Sequence, residues 1–265
     1  SKVFIGKVLL NQAKKLKVIV TASTGTNHID KVYAKKNGIP IISLTEERHV
    51  IEKISSTAEL AFGLTLSSIR NIVKSHNKAL NGEWDYTHYI GRQMNSVTIG
   101  VIGYGRLGKM YAKYCESFGA KVIVYDPYEE VIEKKINQVG DIVKLINMSD
   151  VISIHVHVSD ETTNIIDKTF FKEMKSDVII INTARGEVIN EIDLVEFLKK
   201  NSDAKVATDV LTDEIRGRKN SPLFKYALKN DNVIITQHIG GMTREAQQIA
   251  YGHVATLLKN FFTKR

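Results

Sequence analysis

Short runs of apolar, mostly β-branched residues recur along the chain, and the stretches between them have the spacing of amphipathic helices. Such runs predict buried strands, and the stretches between them predict helices. The predicted strands lie at residues 16–21, 39–43, 97–102, 122–125, 151–156, 178–181, 205–210 and 233–236. Strands that alternate with helices are typical of a parallel sheet covered on both faces. The pattern therefore predicts an α/β fold with a doubly wound parallel sheet.

The predicted helices differ in how apolar they are. They lie at residues 28–37, 50–80, 106–118, 141–148, 168–174, 190–200 and 244–262, with Asn190 as a predicted N-terminal cap. Residues 50–80 predict one long helix, and it carries more apolar side chains than a one-sided surface helix needs. That excess predicts an element that bridges two domains or contacts a second subunit.

Residues 97–126 combine a strand, a glycine-rich turn, a helix, a second strand and a terminal acid. The turn contains Gly103, Gly105 and Gly108 in the G-x-G-x-x-G spacing, and Asp126 directly follows the second strand. A glycine triplet alone is a weak signal, but with its flanking elements in register it predicts a dinucleotide-binding βαβ unit. The backbone at the helix N-terminus would bind the pyrophosphate. An acid at Asp126 would accept hydrogen bonds from the ribose hydroxyls, and no arginine follows it in residues 127–130, so we expect NAD rather than NADP.

Composition narrows the function without identifying it. The chain has 265 residues, 43% hydrophobic and 25% charged, which suits one or two globular domains. No apolar run approaches the length of a membrane span, and the single cysteine, Cys115, offers no internal disulfide, so we expect a cytoplasmic protein without a membrane partner. The net charge of +8 is scattered over lysines on predicted helix faces, so no nucleic-acid partner is expected.

Residues with reactive side chains follow three of the predicted strands. In open α/β sheets, ligands bind beyond the carboxyl ends of the strands, and Arg185, Glu214 and His238 all follow strands at that edge. Taken singly, each has a simpler interpretation. Arg185 could be a surface cation, Glu214 a solvated acid, and His238 a hydrogen-bonded polar residue at a strand end. The adjacent glycines 240 and 241 favour a ligand site at His238, because they let backbone approach a ligand. No metal site is expected, since neither cysteine nor a carboxylate pair accompanies His155 and His157.

Segments along nearly the whole chain resemble those of the NAD-dependent D-2-hydroxyacid dehydrogenases, the family of D-lactate, D-glycerate and D-3-phosphoglycerate dehydrogenases. Besides the glycine turn, the matching segments are TASTGTNHID (21–30), TAEL (57–60), SDVISIHVHVSDETTNIID (149–167), FFKEMKSDVIIINTARGEVIN (170–190), TDVLTDE (208–214) and ITQHIGG (235–241). The resemblance implies reversible hydride transfer between NAD(H) and a D-2-hydroxy acid or its 2-keto acid. It also implies that Arg185 binds the substrate carboxylate, that His238 exchanges the proton, and that Glu214 orients His238. The chemistry agrees, because an imidazole titrates near neutral pH, a carboxylate partner stabilises its charged form, and a guanidinium binds a carboxylate through two hydrogen bonds.

The same resemblance implies further contacts. The cofactor-binding residues would be Gly103, Gly105, Arg106, Leu107, Gly108, Asp126, His155, Thr183, Ala184, Asp209, Gly240 and Gly241. The backbone of Thr24 and Gly25 would bind the substrate carboxylate. The helical segment near residues 57–84 resembles the dimer-forming element of the family, so a homodimer is expected.

The resemblance also implies two domains. Residues 57–241 would form the NAD-binding domain, and residues 1–56 with 242–265 would form a smaller, flavodoxin-like substrate domain. Only residues 1–15 precede the strand that leads into TASTG, where family members usually have a further strand and helix, so the substrate domain is expected to be shortened. His157 and Gln237 stand where members usually carry proline. A catalytically weak or inactive NAD-binding member that acts as a sensor or interaction protein is the alternative function.

Overall fold

The computed structural model describes residues 3–263 and divides the chain into two compact units. The large unit is continuous, Thr57–Gly240, and the small unit joins the chain up to Ser56 with the segment from Gly241 onward. The large unit ends at Gly240, one residue before the domain boundary at residue 241 that the sequence predicts.

The helices and strands alternate along most of the chain. The α-helices of the described residues are α1 (Lys7–Gln12), α2 (Lys31–Lys36), α3 (Arg48–Ile51), α4 (Ser56–Ile69), α5 (Ile72–Leu80), α6 (Arg106–Ser117), α7 (Ile142–Met148), α8 (Lys168–Phe171), α9 (Glu191–Lys200), α10 (Glu214–Gly217), α11 (Pro222–Ala227) and α12 (Arg244–Thr263). The strands are β1 (Ile19–Val20), β2 (Ile41–Ile42), β3 (Thr98–Ile102), β4 (Lys121–Tyr125), β5 (Ile136–Gln138), β6 (Val151–Ile154), β7 (Ile179–Asn182), β8 (Lys205–Thr208) and β9 (Val233–Ile235). Of the described helices, none combines the length and the apolar content that crossing a membrane requires.

The small unit is built around two short parallel strands. Ile19 of β1 lies opposite Ile41 of β2. One apolar cluster surrounds Leu10 and Ile29, and a second joins Leu44 to Ala250 and Val254 of α12. The second cluster brings the two separate chain segments of this unit into one core.

The large unit contains a seven-stranded sheet in the order β5-β4-β3-β6-β7-β8-β9, with every neighbouring pair parallel. The direction in which the chain adds strands reverses between β3 and β6, which is where a doubly wound sheet binds its ligand. Alternate residues of a strand enter opposite cores, as in β7, where Ile180 packs in one apolar cluster and Ile179 and Ile181 pack in the other. The predicted parallel sheet with two covered faces is confirmed.

One local prediction was wrong, and one edge strand was missed. The single helix predicted over residues 50–80, which included the dimer-forming helix near 57–84, is divided into α3, α4 and α5. Asn71, between α4 and α5, has a left-handed backbone with φ of 54°, which an α-helix cannot contain. The edge strand β5 was not predicted, because only Ile136 of its three residues is buried and no apolar run marks it.

Candidate functional site

The glycine turn lies at the carboxyl end of β3 and leaves space in front of α6. Gly103 has φ of 93°, and a Cβ there would lie 2.8 Å from the His155 carbonyl oxygen. A Cβ on Gly108 would lie 2.0 Å from the Gly103 carbonyl oxygen, so only glycine allows the helix to pack this close to the turn. Gly105 immediately precedes α6, and no described atom lies within 4 Å of where its Cβ would be.

The N-terminus of α6 faces this space with a positive helix dipole. Arg106 is the first residue of the helix, and Leu107 packs against the apolar cluster below it. The first amide groups of a helix have no carbonyl partner within the helix, and an anion at this end is stabilised by them and by the dipole. The open space and the helix end together suit a phosphate group.

Asp126 directly follows β4, and its carboxylate connects the end of that strand to the glycine turn. Its Oδ2 accepts a hydrogen bond of 2.6 Å from the Tyr104 amide, and its Oδ1 accepts bonds of 2.8 and 3.0 Å from the amides of Tyr128 and Glu129. A carboxylate oxygen has two acceptor positions, so Oδ2 can still accept a hydroxyl. The carboxylate is thus held in place by backbone amides before any ligand binds.

The backbone of His155 lies directly against the glycine turn at Gly103. Its Nε2 lies 2.8 Å from the Ser153 hydroxyl, and its ring lies 4.9 Å from the ring of Tyr111. Burial of the imidazole lowers the pKa of His155 to about 3, so the ring is neutral at physiological pH. These contacts direct the ring into the protein, and the cofactor contact expected of His155 stays a prediction.

The loop after β7 carries Thr183, Ala184 and Arg185, and buried Asn182 holds its shape. The Asn182 amide nitrogen donates to the Arg185 carbonyl at 2.8 Å, and its oxygen accepts from the Ala184 amide at 3.0 Å. The Arg185 guanidinium donates to the Ala184 carbonyl at 2.6 Å. The Thr183 hydroxyl is buried and has no hydrogen-bond partner among the described residues, so it is available to a ligand.

Asp209, at the end of β8, holds the loop that carries His238. Its carboxylate is buried and accepts bonds from the Thr236 hydroxyl at 2.5 Å, the Ile239 amide at 2.8 Å and the Gly240 amide at 2.7 Å. These donors flank His238 on both sides in sequence. Asp209 therefore positions the histidine, whatever contact it also makes with a cofactor.

His238 and Glu214 are in direct contact. His238 Nδ1 is hydrogen-bonded to Glu214 Oε1, and the side chain of His238 is 42% exposed, which leaves Nε2 as the ring nitrogen free to meet a substrate. His238 has φ of 57°, an unfavourable backbone region for a residue with a side chain. Burial alone would raise the pKa of Glu214, but the hydrogen bond and charge of His238, the Leu211 amide and the charge of Arg185 together lower it. His238 and Glu214 thus form a hydrogen-bonded pair, and the charge of Arg185 also favours the ionised Glu214 carboxylate.

Glu191 holds the chain segment that carries Glu214, and the sequence did not identify it as a site residue. It lies in the first turn of α9, and its buried carboxylate accepts from the Thr212 amide at 2.8 Å and from the Ser221 hydroxyl at 2.5 Å. Thr212 and Ser221 lie on either side of Glu214 in sequence. Like Asn182, which ends an apolar strand, Glu191 shows in the sequence only as a polar residue beside apolar ones.

The remaining predicted residues are Gly240 and Gly241, at the chain boundary between the two units, and Thr24 and Gly25, in the first segment of the small unit. Gly240 ends the large unit, and Gly241 begins the second segment of the small unit. Thr24 and Gly25 also belong to the small unit, where their carbonyl oxygens accept from the hydroxyls of Thr45 at 2.8 Å and Ser23 at 2.7 Å. Those bonds fix the backbone of the loop.

Known proteins are similar to this chain in sequence and in fold. The family model described as D-isomer specific 2-hydroxyacid dehydrogenase, NAD binding domain, matches residues 62–240. The D-3-phosphoglycerate dehydrogenase of Methanocaldococcus jannaschii is 37% identical over 254 residues, which are 95% of this chain. That relative is about twice as long, and the chain spans 46% of it. The hydroxypyruvate reductase of Thermotoga maritima is 35% identical over 245 residues, 91% of this chain and 76% of the relative. The crystal structure of D-lactate dehydrogenase from Aquifex aeolicus, complexed with NAD and lactic acid, superposes with a TM-score of 0.82 at 30% identity, covering 98% of this chain and 80% of that one.

Proposed function

The chain belongs to the family of D-isomer specific 2-hydroxyacid dehydrogenases, and from that premise we propose that it transfers a hydride reversibly between NAD(H) and a D-2-hydroxy acid or its 2-keto acid. The observation that carries the proposal is the bond between His238 Nδ1 and Glu214 Oε1, with the charge of Arg185 acting on the same carboxylate. Those groups are what proton exchange with a hydroxy acid requires: a base, a residue that orients it and a cation for the substrate.

Each residue has one part in the proposed reaction. Arg185 binds the substrate carboxylate and polarises the neighbouring carbonyl, because a guanidinium offers a planar pair of donors. His238 Nε2 takes the hydroxyl proton in oxidation and returns it to the carbonyl oxygen in reduction, and Glu214 holds the ring orientation and stabilises its charge. The glycine turn, the N-terminus of α6 and Asp126 would hold NAD, which would supply the hydride chemistry at the substrate carbon. The loop of Thr24 and Gly25 is proposed to bind the substrate carboxylate through its backbone.

The residues of the large unit fit NAD at three points. Open space in front of Gly105 and the N-terminus of α6 suits the pyrophosphate. Asp126 Oδ2 can accept a ribose hydroxyl, whereas a 2′-phosphate would meet its negative charge. The buried Thr183 hydroxyl, unpartnered in the described residues, can hydrogen-bond to the cofactor. We therefore expect NADH to bind more tightly than NADPH.

The test is NADH oxidation, followed by absorbance, with pyruvate, glyoxylate, hydroxypyruvate and 3-phosphohydroxypyruvate. We expect turnover of at least one acid with NADH and much slower turnover with NADPH. His238→Ala should lower kcat by about 10²- to 10⁴-fold, the usual contribution of a general acid–base, and should leave NADH binding unchanged. Asp160→Asn, an exposed position in a surface turn, is the control. NADH binding without turnover of any of these acids would contradict the proposed reaction.

We also propose that the chain forms a homodimer in the cytoplasm, through α5 and the segment that follows it. No residue of α5 is buried, and Leu80, Trp84, Tyr86 and Ile90 expose large apolar side chains, Trp84 being 88% exposed. An apolar surface of this kind is typical of a protein interface. Trp84→Lys should convert a dimer to a monomer in sedimentation velocity, while the equally exposed Ile132→Lys should not. A wild-type protein that sediments as a monomer would remove the dimer from the proposal.

A further inference from the structure

Three potential metal ligands meet in the small unit, and none of them has a part in the proposed reaction. They are Glu47, His49 and His253, and one ligand atom of each lies within 4.8 Å of the other two. His253 Nε2 lies 2.7 Å from Glu47 Oε2, and the rings of His49 and His253 meet edge to face with centroids 5.4 Å apart. The carboxylate and the His253 ring are about three-quarters buried, with 24% and 22% of their side-chain surfaces exposed, whereas His49 is exposed.

Apolar packing fixes the backbone that carries these ligands. The buried residue Val50 follows His49 in α3, and the buried residue Val254 follows His253 in α12. Val254 belongs to the apolar cluster that joins Leu44 to α12. The Glu47 amide donates to the Leu44 carbonyl at 3.1 Å, which ties the third ligand to the same core. A site whose backbone is already held loses little entropy when its side chains close on an ion.

We propose that Glu47, His49 and His253 form a binding site for a divalent transition-metal ion, with Zn²⁺ as its principal ligand. Two imidazoles and one carboxylate are a donor set that zinc binds, with the fourth tetrahedral position taken by water. Zinc–ligand bonds of about 2.0–2.2 Å place tetrahedral ligand atoms about 3.3 Å apart. The ligand atoms here lie within 4.8 Å of one another, so closing the site needs a side-chain shift of about 1.5 Å or less. The exposed His49 side chain can make most of that shift by changing its rotamer.

The ion would link two chain segments that are far apart in sequence. Glu47 and His253 are separated by 206 positions, so no local spacing such as H-x-x-x-H marks the site. This separation explains why the sequence, judged on His155 and His157, led to the expectation of no metal. An ion that binds the folded small unit but not the unfolded chain would stabilise that unit, and tighter binding would stabilise it more.

The test is a metal titration of the untagged full chain after treatment with EDTA and removal of the chelator. We expect calorimetry to show binding of one Zn²⁺ per chain, and the Tm to rise as the Zn²⁺ concentration increases. Co²⁺ should give the visible absorption of a four-coordinate site, and Mg²⁺, which prefers oxygen ligands in an octahedron, should give neither effect. A wild-type protein that binds no stoichiometric Zn²⁺ would overturn the proposal.

Variants separate a ligand from a residue that merely packs. His49→Ala removes the edge-to-face ring contact with His253 but leaves the bond between Glu47 and His253 intact, so the metal-free Tm should fall only slightly. Zn²⁺ binding should weaken by more than about 100-fold, beyond the 10- to 100-fold typical of residues behind the ligands. Glu47→Gln can still hydrogen-bond His253 but should also lose the Tm rise with Zn²⁺. His157→Ala, an exposed histidine in the loop that follows β6 of the large unit, is the matched control and should titrate as wild type. His49→Ala that binds Zn²⁺ as tightly as the control would show that His49 is no ligand.

Discussion

Asp209→Asn tests the idea that a buried carboxylate positions His238. The carboxylate accepts three hydrogen bonds, two at Oδ1 and one at Oδ2, from the loop on either side of the histidine. An amide of the same shape can accept at one atom only. If its oxygen takes the Oδ1 position, its NH₂ group points at the Gly240 amide, and two donors then face each other.

The expected cost follows from those bonds. A hydrogen bond to a charged group contributes about 1.5–3 kcal/mol, and a buried donor without a partner costs about 1–3 kcal/mol. We expect Asp209→Asn to lower the unfolding free energy by about 2–4 kcal/mol, and to lower the Tm by about 5–15 °C at the 2–4 °C per kcal/mol typical of this size. The bonds also hold His238 in its left-handed conformation, which by itself costs about 1–2 kcal/mol. Once they weaken, the imidazole should move, and a shift of about 1 Å can lower kcat by about 100-fold.

The assay combines thermal unfolding by circular dichroism with steady-state kinetics on the acid that the wild type turns over. Asp160→Asn makes the same change of charge in an exposed turn and should leave both the Tm and kcat unchanged. If Asp209→Asn matched Asp160→Asn in both measurements, the loop would not depend on this carboxylate.

Three further predictions concern the sheet edge and the core below it. Gly108→Ala would place a Cβ 2.0 Å from a carbonyl of the glycine turn, so NADH binding measured by fluorescence should be lost, whereas Gly140→Ala, where no described atom lies within 4 Å of the added Cβ, should bind as wild type. The pKa of Glu214 is lower in the folded protein than its ordinary value of 4.5. The ionised carboxylate therefore stabilises the fold at pH values above 4.5, and this stabilisation is lost as the pH falls through the lowered pKa of the folded state. Urea denaturation between neutral pH and pH 3 should therefore show a smaller acid-side loss of stability in Glu214→Gln, and an equal loss would contradict the assignment. Tyr111→Phe removes the buried hydroxyl that lies 2.8 Å from the Thr65 hydroxyl and should cost about 1 kcal/mol in the same assay, while a gain in stability would mean that desolvation outweighs the bond.

The central strands were predictable because burial on both sides leaves a continuous apolar run. All four residues of β6 and of β7 are buried, and such runs need no distant information to be recognised. The break between α4 and α5 was not predictable in this way. Asn71 donates to the Tyr89 carbonyl at 3.3 Å and accepts from Lys205 Nζ at 2.6 Å, and Lys205 is 134 positions away in sequence. Those tertiary contacts accompany the left-handed residue, whereas the apolar spacing on either side continues as in one helix.

The same distinction applies to the candidate site. The positions of Arg185, Glu214 and His238 after strands follow from the rule that ligands bind at the carboxyl edge of a parallel sheet. The residues that hold them in place do not follow from it. Asp209 and the Gly240 amide are 31 positions apart, and Glu191 and Ser221 are 30 apart, so only the folded chain brings these pairs together.

The discontinuous small unit has a consequence for synthesis on the ribosome. Glu47 must wait for its partner His253, which is made 206 residues later, and at about 5–20 residues per second the delay is roughly 10 to 40 seconds. Leu44 likewise stays without its buried neighbours on α12 during that interval, while the continuous large unit is already emerging. In a nascent chain, the apolar residues of the first segment therefore stay exposed while the large unit can already fold. We expect a chaperone that binds extended apolar segments to bind this first segment rather than the seven-stranded sheet.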